Sequence, residues 1–267
     1  MKKNRFYNFN FILGLCITGF LLFLGLLSFF YTPCNPEGMN GSLKNAGCSL
    51  SHFFGCDNFG RDIFSRVMVG IRNTMFISLG TVGIGFIIGL VLGALSGYFG
   101  GIFDEIVMRI NDTLFSFPSV LVALVVISIM GVGNKSVVIA LGISFIPSFT
   151  RMVRAEFIRQ RKLDYVCAAK LIGASDIRII FIHIMPNVLP VTLQSVIIGF
   201  NNAVLAEAGL SFLGLGVQPP FSSLGRMLSE AQTFMFSSPH NALFPGIAVV
   251  LLVLGLSFLA EGVSDGQ

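Results

Sequence analysis

DYVCAAKLIGASDIRIIFIHIMPNVLP, residues 164–190, decides how the rest of the chain is read. The stretch is helix-prone and lies between apolar runs long enough to cross a bilayer. It carries Lys170 and Arg178, and Arg151, Arg154, Arg159, Arg161 and Lys162 come just before it. Ionised side chains are costly in hydrocarbon, so this basic segment must face water while its neighbours are in lipid.

The composition supports that division. Of 267 residues, 54% are apolar and only 11% are charged. Soluble domains carry about 25% charged residues, which places this chain in the membrane class. A net charge of +4 gives no reason to expect nucleic acid, and the placement of the charges matters more than their sum. Asp, Glu, Lys and Arg are absent from 6–36, 73–103, 113–134, 136–150, 179–206 and 231–260. A crossing helix needs about 20 apolar residues. The run 136–150 is short and contains Pro147, but Arg151 and Arg154 at its end can snorkel to the interface. These runs predict an all-α membrane protein with helices near 9–31, 74–98, 113–132, 135–153, 188–208 and 241–260. The chain divides into a first helix and its outer loop (1–72) and a helical membrane domain (73–267).

Lys2, Lys3 and Arg5 before the first apolar run would suit a signal peptide. The run is too long and no small-residue cleavage site follows, so an uncleaved helix is expected. With the N-terminus inside, the inner segments hold those three cations, Arg109, and the seven named between Arg151 and Arg178. The outer segments hold Lys44, Arg61, Arg66, Arg72, Lys135 and Arg226. The excess on the inner side predicts that both termini are cytoplasmic.

Three cysteines, Cys34, Cys48 and Cys56, fall in the outer loop, where an oxidising environment would allow one disulfide. Their spacing matches no common zinc pattern, so thiols rather than a metal site are expected. His52 and His240 belong to outer segments and His183 to an inner one, so a metal shared by all three would have to span the bilayer.

Gly85, Gly89, Gly93, Gly97 and Gly101 recur every four residues. On a helix they form a flat stripe that lets a second backbone approach. The run GTVGIGFIIG (80–89) resembles a dinucleotide loop only on the surface, since it has neither a preceding strand nor water around it. Gly133-Asn134-Lys135-Ser136 lacks the glycine spacing that cradles phosphate. No nucleophile–base set is present, so no catalytic residue is expected. Gln194, Asn201, Asn202 and Glu207 interrupt the fifth run. Polar groups at membrane depth line a wetted path or bond a neighbouring helix. At 100° per residue, Gln194 and Asn201 share one side.

Cys167-Ala168-Ala169, then Gly173, then Met185-Pro186, resembles the EAA loop of ABC-importer permeases. The blocks at 56–72, 96–121, 151–166 and 204–228 are similar, in order, to the dipeptide, oligopeptide and nickel subfamily, and to its second (C-type) subunit. Cys167 stands where that loop usually has Glu, and the tail after Glu261 lacks the basic ending of relatives. The resemblance implies a type I ABC-importer permease fold in the bacterial inner membrane. It implies a cytoplasmic coupling helix whose contacts with the ATPase use Tyr165, Cys167, Ala168, Ala169, Leu171, Gly173, Ala174 and Pro186. It implies a second permease subunit, two ATPase subunits that hold ATP and Mg, and an extracytoplasmic solute-binding protein. The expected cargo is short peptides, with nickel or a metal chelate as the alternative. A stand-alone secondary transporter is the rival of another class; paired inverted halves and proton-relaying carboxylates, which it would need, are not visible in the sequence.

Overall fold

The computed structural model describes residues 9–264. The cations Lys2, Lys3 and Arg5 lie outside them. The described chain is helical and has no strand, only an isolated bridge between Cys56 and Asp62. Its elements are α1 (Phe9–Leu27), α2 (Ile63–Phe99), α3 (Gly101–Phe115), α4 (Ser119–Met130), α5 (Asn134–Arg161), α6 (Asp164–Leu171), α7 (Asp176–Arg178), α8 (Met185–Phe212), α9 (Leu224–Ala231) and α10 (His240–Ser264). A π-helical stretch, Ile179–Ile184, fuses α7 to α8. Five segments are long and apolar enough to cross a membrane, and a sixth if α3 and α4 are one broken span.

That break corrects the expected helix at 113–132. The chain turns by 91° between α3 and α4. Pro118 stands at the N-cap of α4, where it disfavours helical backbone at Phe117 and brings no N–H. At 1.5 Å per residue, the twelve residues of α4 reach only about 18 Å, well short of a bilayer core of about 30 Å.

The second helix also departs from expectation, beginning at Ile63 rather than near 74. Asp62 caps it by accepting from Ser65 N at 2.8 Å. Arg66 and Arg72 ended the charge-free run in the sequence, yet both lie within the helix. Its 37 residues make a rod about 55 Å long, which extends past the hydrocarbon.

The glycine stripe forms the main seam, between α2 and α5. A Cβ on Gly89 would lie 2.6 Å from Cβ of Phe149, and one on Gly93 would lie 2.6 Å from the Thr150 carbonyl oxygen. No side chain fits there, so the two backbones touch. Gly101 does not belong to the stripe; it follows Gly100, whose φ is positive, at the junction of α2 and α3, and a Cβ on it would meet nothing within 4 Å. A second close seam joins α1 to α10, where a Cβ on Gly14 would lie 2.6 Å from Leu259 N. Buried side chains such as Leu21, Ile63, Ile71, Val204, Leu224 and Leu252 tie α1, α2, α8, α9 and α10 into one core.

Candidate functional site

The segment 164–190 folds into α6, a tight turn, and the α7–π–α8 helix. Val166 and Ala169, three residues apart on α6, are buried against Tyr98, Phe157, Ile179, Ile184 and Val188. The opposite face and the tip are open: Cys167, Ala168 and Gly173 are exposed, Leu171 is 90% exposed and Ile172 is 84% exposed. Burying either would remove apolar area from water.

Gly173 ends α6 as the sequence predicts. Its φ of +78° is left-handed, Gly173 N donates to the Lys170 carbonyl, and Ala174 N donates to the Ala169 carbonyl. This is the Schellman closure that favours glycine. Ser175 takes the N-cap position of α7, but its side chain makes no capping bond. Asp176, beside it, accepts from Tyr98 Oη at 2.5 Å instead. Arg161 donates to the Tyr98 carbonyl at 2.5 Å, and Lys170 lies over the Tyr98 ring at 5.3 Å. The end of α2 is therefore pinned to the loop. Tyr165 Oη donates to Gln160 Oε1 at 2.8 Å, which ties α6 to α5. Pro186 is exposed in the first turn of α8, and Ala174 is half-buried.

Sequence reasoning missed Tyr98, Asp176, Ile172 and Ile177 here. Ile177, 72% exposed, extends the bare apolar patch across the turn. Two adjacent aliphatic residues flanking a helix-stopping glycine, Leu171-Ile172-Gly173, were the available signal.

The far end of α2 carries a cap formed by the loop before it and by α9. Arg61 donates to Asp57 at 2.7 Å and to Glu230 at 2.7 Å. Arg66 pairs with Asp57 and donates to Glu230 at 3.0 Å, and Arg226 donates to Glu230 at 3.1 Å. Burial alone would raise Glu230, but Arg66 and Arg61 outweigh it and hold its carboxyl below the usual range. Burial, with Asp62, Asp57 and Cys34 nearby, pushes the Cys56 thiol up to about 11. Arg61, Arg66 and Arg226, read from sequence as loop cations, are thus internal struts.

The polar residues of α8 do not form one group. Glu207 is fully buried and accepts from Thr74 Oγ1 at 2.8 Å and Ser211 Oγ at 2.6 Å. Its carboxylate links α2 to α8 inside this chain and reaches none of its surface. Asn201 is half-buried and donates to Ser257 Oγ of α10 at 2.9 Å. Gln194 is half-buried and Asn202 exposed.

A long helical bundle, a close glycine seam and a short surface helix with a bare apolar tip define a membrane permease of the type I importer class. Residues 89–265 match the family described as binding-protein-dependent transport system inner membrane component, and the chain belongs to that family. It is 37% identical to the dipeptide transport system permease protein DppC of Alkalihalophilus pseudofirmus, over 99% of this chain and 86% of that protein. It is 42% identical to the glutathione transport system permease protein GsiD of Pectobacterium atrosepticum, over 83% of this chain and 73% of that one. The fold is similar to a chain of the MetNI methionine ABC transporter in an inward-facing conformation. There the TM-score is 0.63 at 19% identity, covering 76% of this chain and 96% of that one.

Proposed function

We propose that the chain is the C-type permease subunit of an ATP-driven importer for short peptides. The observation that carries this reading is the family match over residues 89–265, together with the exposed tip Leu171-Ile172-Gly173 packed onto the bundle through Val166 and Ala169. In this reading a groove of an ATPase subunit receives it. Two ATPase subunits bind ATP and Mg, a second homologous permease completes the passage, and an extracytoplasmic binding protein delivers the solute. The chain itself makes and breaks no covalent bond. ATP-bound and ATP-free ATPases differ in affinity for the two permease conformations, and that difference moves the helices. The Tyr98–Asp176 bond and the buried face of α6 carry the push from the tip into α2.

Peptide cargo is supported by the dipeptide and glutathione permeases among its relatives, and nothing in the chain favours nickel. Gln194 and Asn202 are the α8 polar groups best placed for a wetted face; Asn201 is engaged by Ser257 and Glu207 by Thr74 and Ser211. The inner-side excess of cations supports cytoplasmic termini and a cytoplasmic 164–190 loop.

Reconstitution of the full complex in vesicles tests the assignment. Uptake of labelled di- and tripeptides should require ATP and the binding protein, with no accumulation of nickel. Nickel uptake without peptide uptake would overturn the cargo. A cysteine placed at Lys162, in a background without native cysteines, should react with an impermeant reagent only after inner-side access. Labelling of intact cells would reverse the orientation.

A further inference from the structure

Three potential metal ligands from distant parts of the cap converge beside the N-terminus of α2. We propose that Cys34, His52 and Asp62 bind a divalent transition metal ion of the zinc class. The sulfur, the ring nitrogen and a carboxylate oxygen all lie within 4.8 Å of one another. His52 Nδ1 is 2.9 Å from Asp62 Oδ1 and 3.9 Å from Cys34 Sγ. Around a tetrahedral zinc, bonds of about 2.0–2.3 Å put neighbouring ligand atoms about 3.3–3.6 Å apart. These two separations straddle that range, and the sulfur-to-carboxylate separation lies within 4.8 Å, so closing the cage draws the three side chains together.

Backbone and outer contacts hold the three ligands, while the facing atoms engage one another and the Cys34 thiol lies 3.9 Å from the Ser51 carbonyl, a contact the metal would replace. Asp62 Oδ2 accepts from Ser65 N at 2.8 Å, which leaves Oδ1 toward His52. Cys34 N donates to the hydroxyl of the same Ser65 at 3.0 Å. His52 N donates to Ser49 Oγ at 3.1 Å, and Ser49 N returns a bond to the His52 carbonyl at 2.9 Å. Such outer contacts fix a ligand's orientation before the metal arrives. The donor set of one sulfur, one nitrogen and one oxygen suits zinc or cobalt, whereas magnesium and calcium require oxygen. Cys34 and His52 are half-buried while Asp62 is buried. The site therefore has an approach from solvent.

On binding, the Cys34 thiol releases its proton to solvent, and the metal takes the thiolate. The Nδ1 proton that His52 donates to Asp62 leaves to solvent from the imidazolium, or is exchanged through solvent for one on Nε2 from the neutral ring, and the ring then binds through Nδ1 as the Nε2–H tautomer. The ion then ties the chain beyond α1, through residue 34, to the N-cap of α2. The sequence concealed this because only one of the three ligands is a loop cysteine, and the other two are 18 and 28 residues away. The proposal does not depend on what the permease carries.

Cobalt titration of the intact complex in detergent, reduced and free of oxygen, tests it. Co²⁺ should saturate near one ion per chain at this site and show thiolate-to-cobalt charge-transfer absorption. Zinc should displace it. The band should persist in Cys48→Ser, disappear in Cys34→Ser, and require about tenfold or more higher Co²⁺ in Asp62→Asn. Asp62→Asn keeps an oxygen for the helix cap, so it reports on metal affinity even where Cys34→Ser folds poorly. Absence of the band in the unaltered chain, or its full survival in Cys34→Ser or Asp62→Asn, would overturn the proposal and leave His52–Asp62 as a plain capping contact.

Discussion

The two ends of α2 are finished in opposite ways. At its start, charged groups are paired inside the chain: Asp57, Arg61, Arg66, Arg226 and Glu230 satisfy one another. At its finish, apolar packing around Tyr98 and Phe157 secures α6 while Leu171, Ile172 and Ile177 stay bare. A buried ion cluster is costly to break and adds little to sticky surface, so the first end is closed upon itself. An uncovered aliphatic tip on a rigid mount is incomplete until something covers it. The contrast is between an end closed by its own ion pairs and an end whose apolar tip is left on the surface, the end that the proposed function gives to a partner.

Breaking the first end should have the largest effect on stability. Glu230→Ala removes the acceptor shared by Arg61, Arg66 and Arg226 and leaves Asp57 alone to face the two buried guanidinium groups of Arg61 and Arg66. Losing one partner of a buried pair costs about 3–5 kcal/mol. Thermal unfolding of the purified complex should shift downward accordingly, and an unchanged melting temperature would refute the structural role. The pH dependence has a definite sign. The carboxyl of Glu230 is depressed in the fold, so its contribution is present above the unfolded value of about 4.3 and is lost as pH falls through the folded one. Glu230→Gln should flatten that acid limb.

Gly89→Leu attacks the rod that both ends share. With Phe149 Cβ 2.6 Å from where a Cβ would sit, α2 and α5 must separate. Overpacking costs about 1–3 kcal/mol, and here backbone has to move. Loss of assembled complex on sizing in detergent is expected. Normal assembly with altered solute preference would instead place the stripe on the passage.

Gly173 separates backbone from surface at the second end. A Cβ there would meet nothing within 4 Å, so Gly173→Ala should cost only the left-handed conformation, about 1–2 kcal/mol. Gly173→Arg adds bulk and charge to the docking surface and should abolish ATP-dependent uptake while the protein still inserts and folds. Equal uptake by Gly173→Ala and Gly173→Arg would remove this turn from the contact.

Asn201→Leu should have the smallest effect. It deletes one bond to Ser257, worth about 1 kcal/mol. A modest fall in melting temperature with unchanged solute preference is expected. A solute-dependent change in uptake with normal stability would put Asn201 on the passage.

Much of this was legible in the chain itself. Charge-free runs located the crossings because lipid excludes ions, and the four-residue glycine period marked the α2–α5 seam because only bare backbone gives such a flat face. Gly173 was readable as a helix stop for a local reason, its left-handed turn. What escaped notice depends on distant partners. Arg66 looked like a loop residue, since nothing near it in sequence reveals that Glu230 will neutralise it. The bend before Ser119 lay within a charge-free run, where Pro118 was the local signal that a reading by charge alone passed over. The pairing of Asn201 with Ser257 crosses 56 residues, and Glu207 meets Thr74 across 133.

The most direct test of the central claim is co-purification of the ATPase subunits with the permease, comparing the unaltered chain with Leu171→Asp/Ile172→Asp. Both side chains are almost fully exposed, so the double variant should insert, fold and melt normally. The account predicts that the unaltered permease retains its ATPases in detergent while the double variant loses them together with peptide uptake. Full retention of the ATPases and of uptake by the double variant would contradict it.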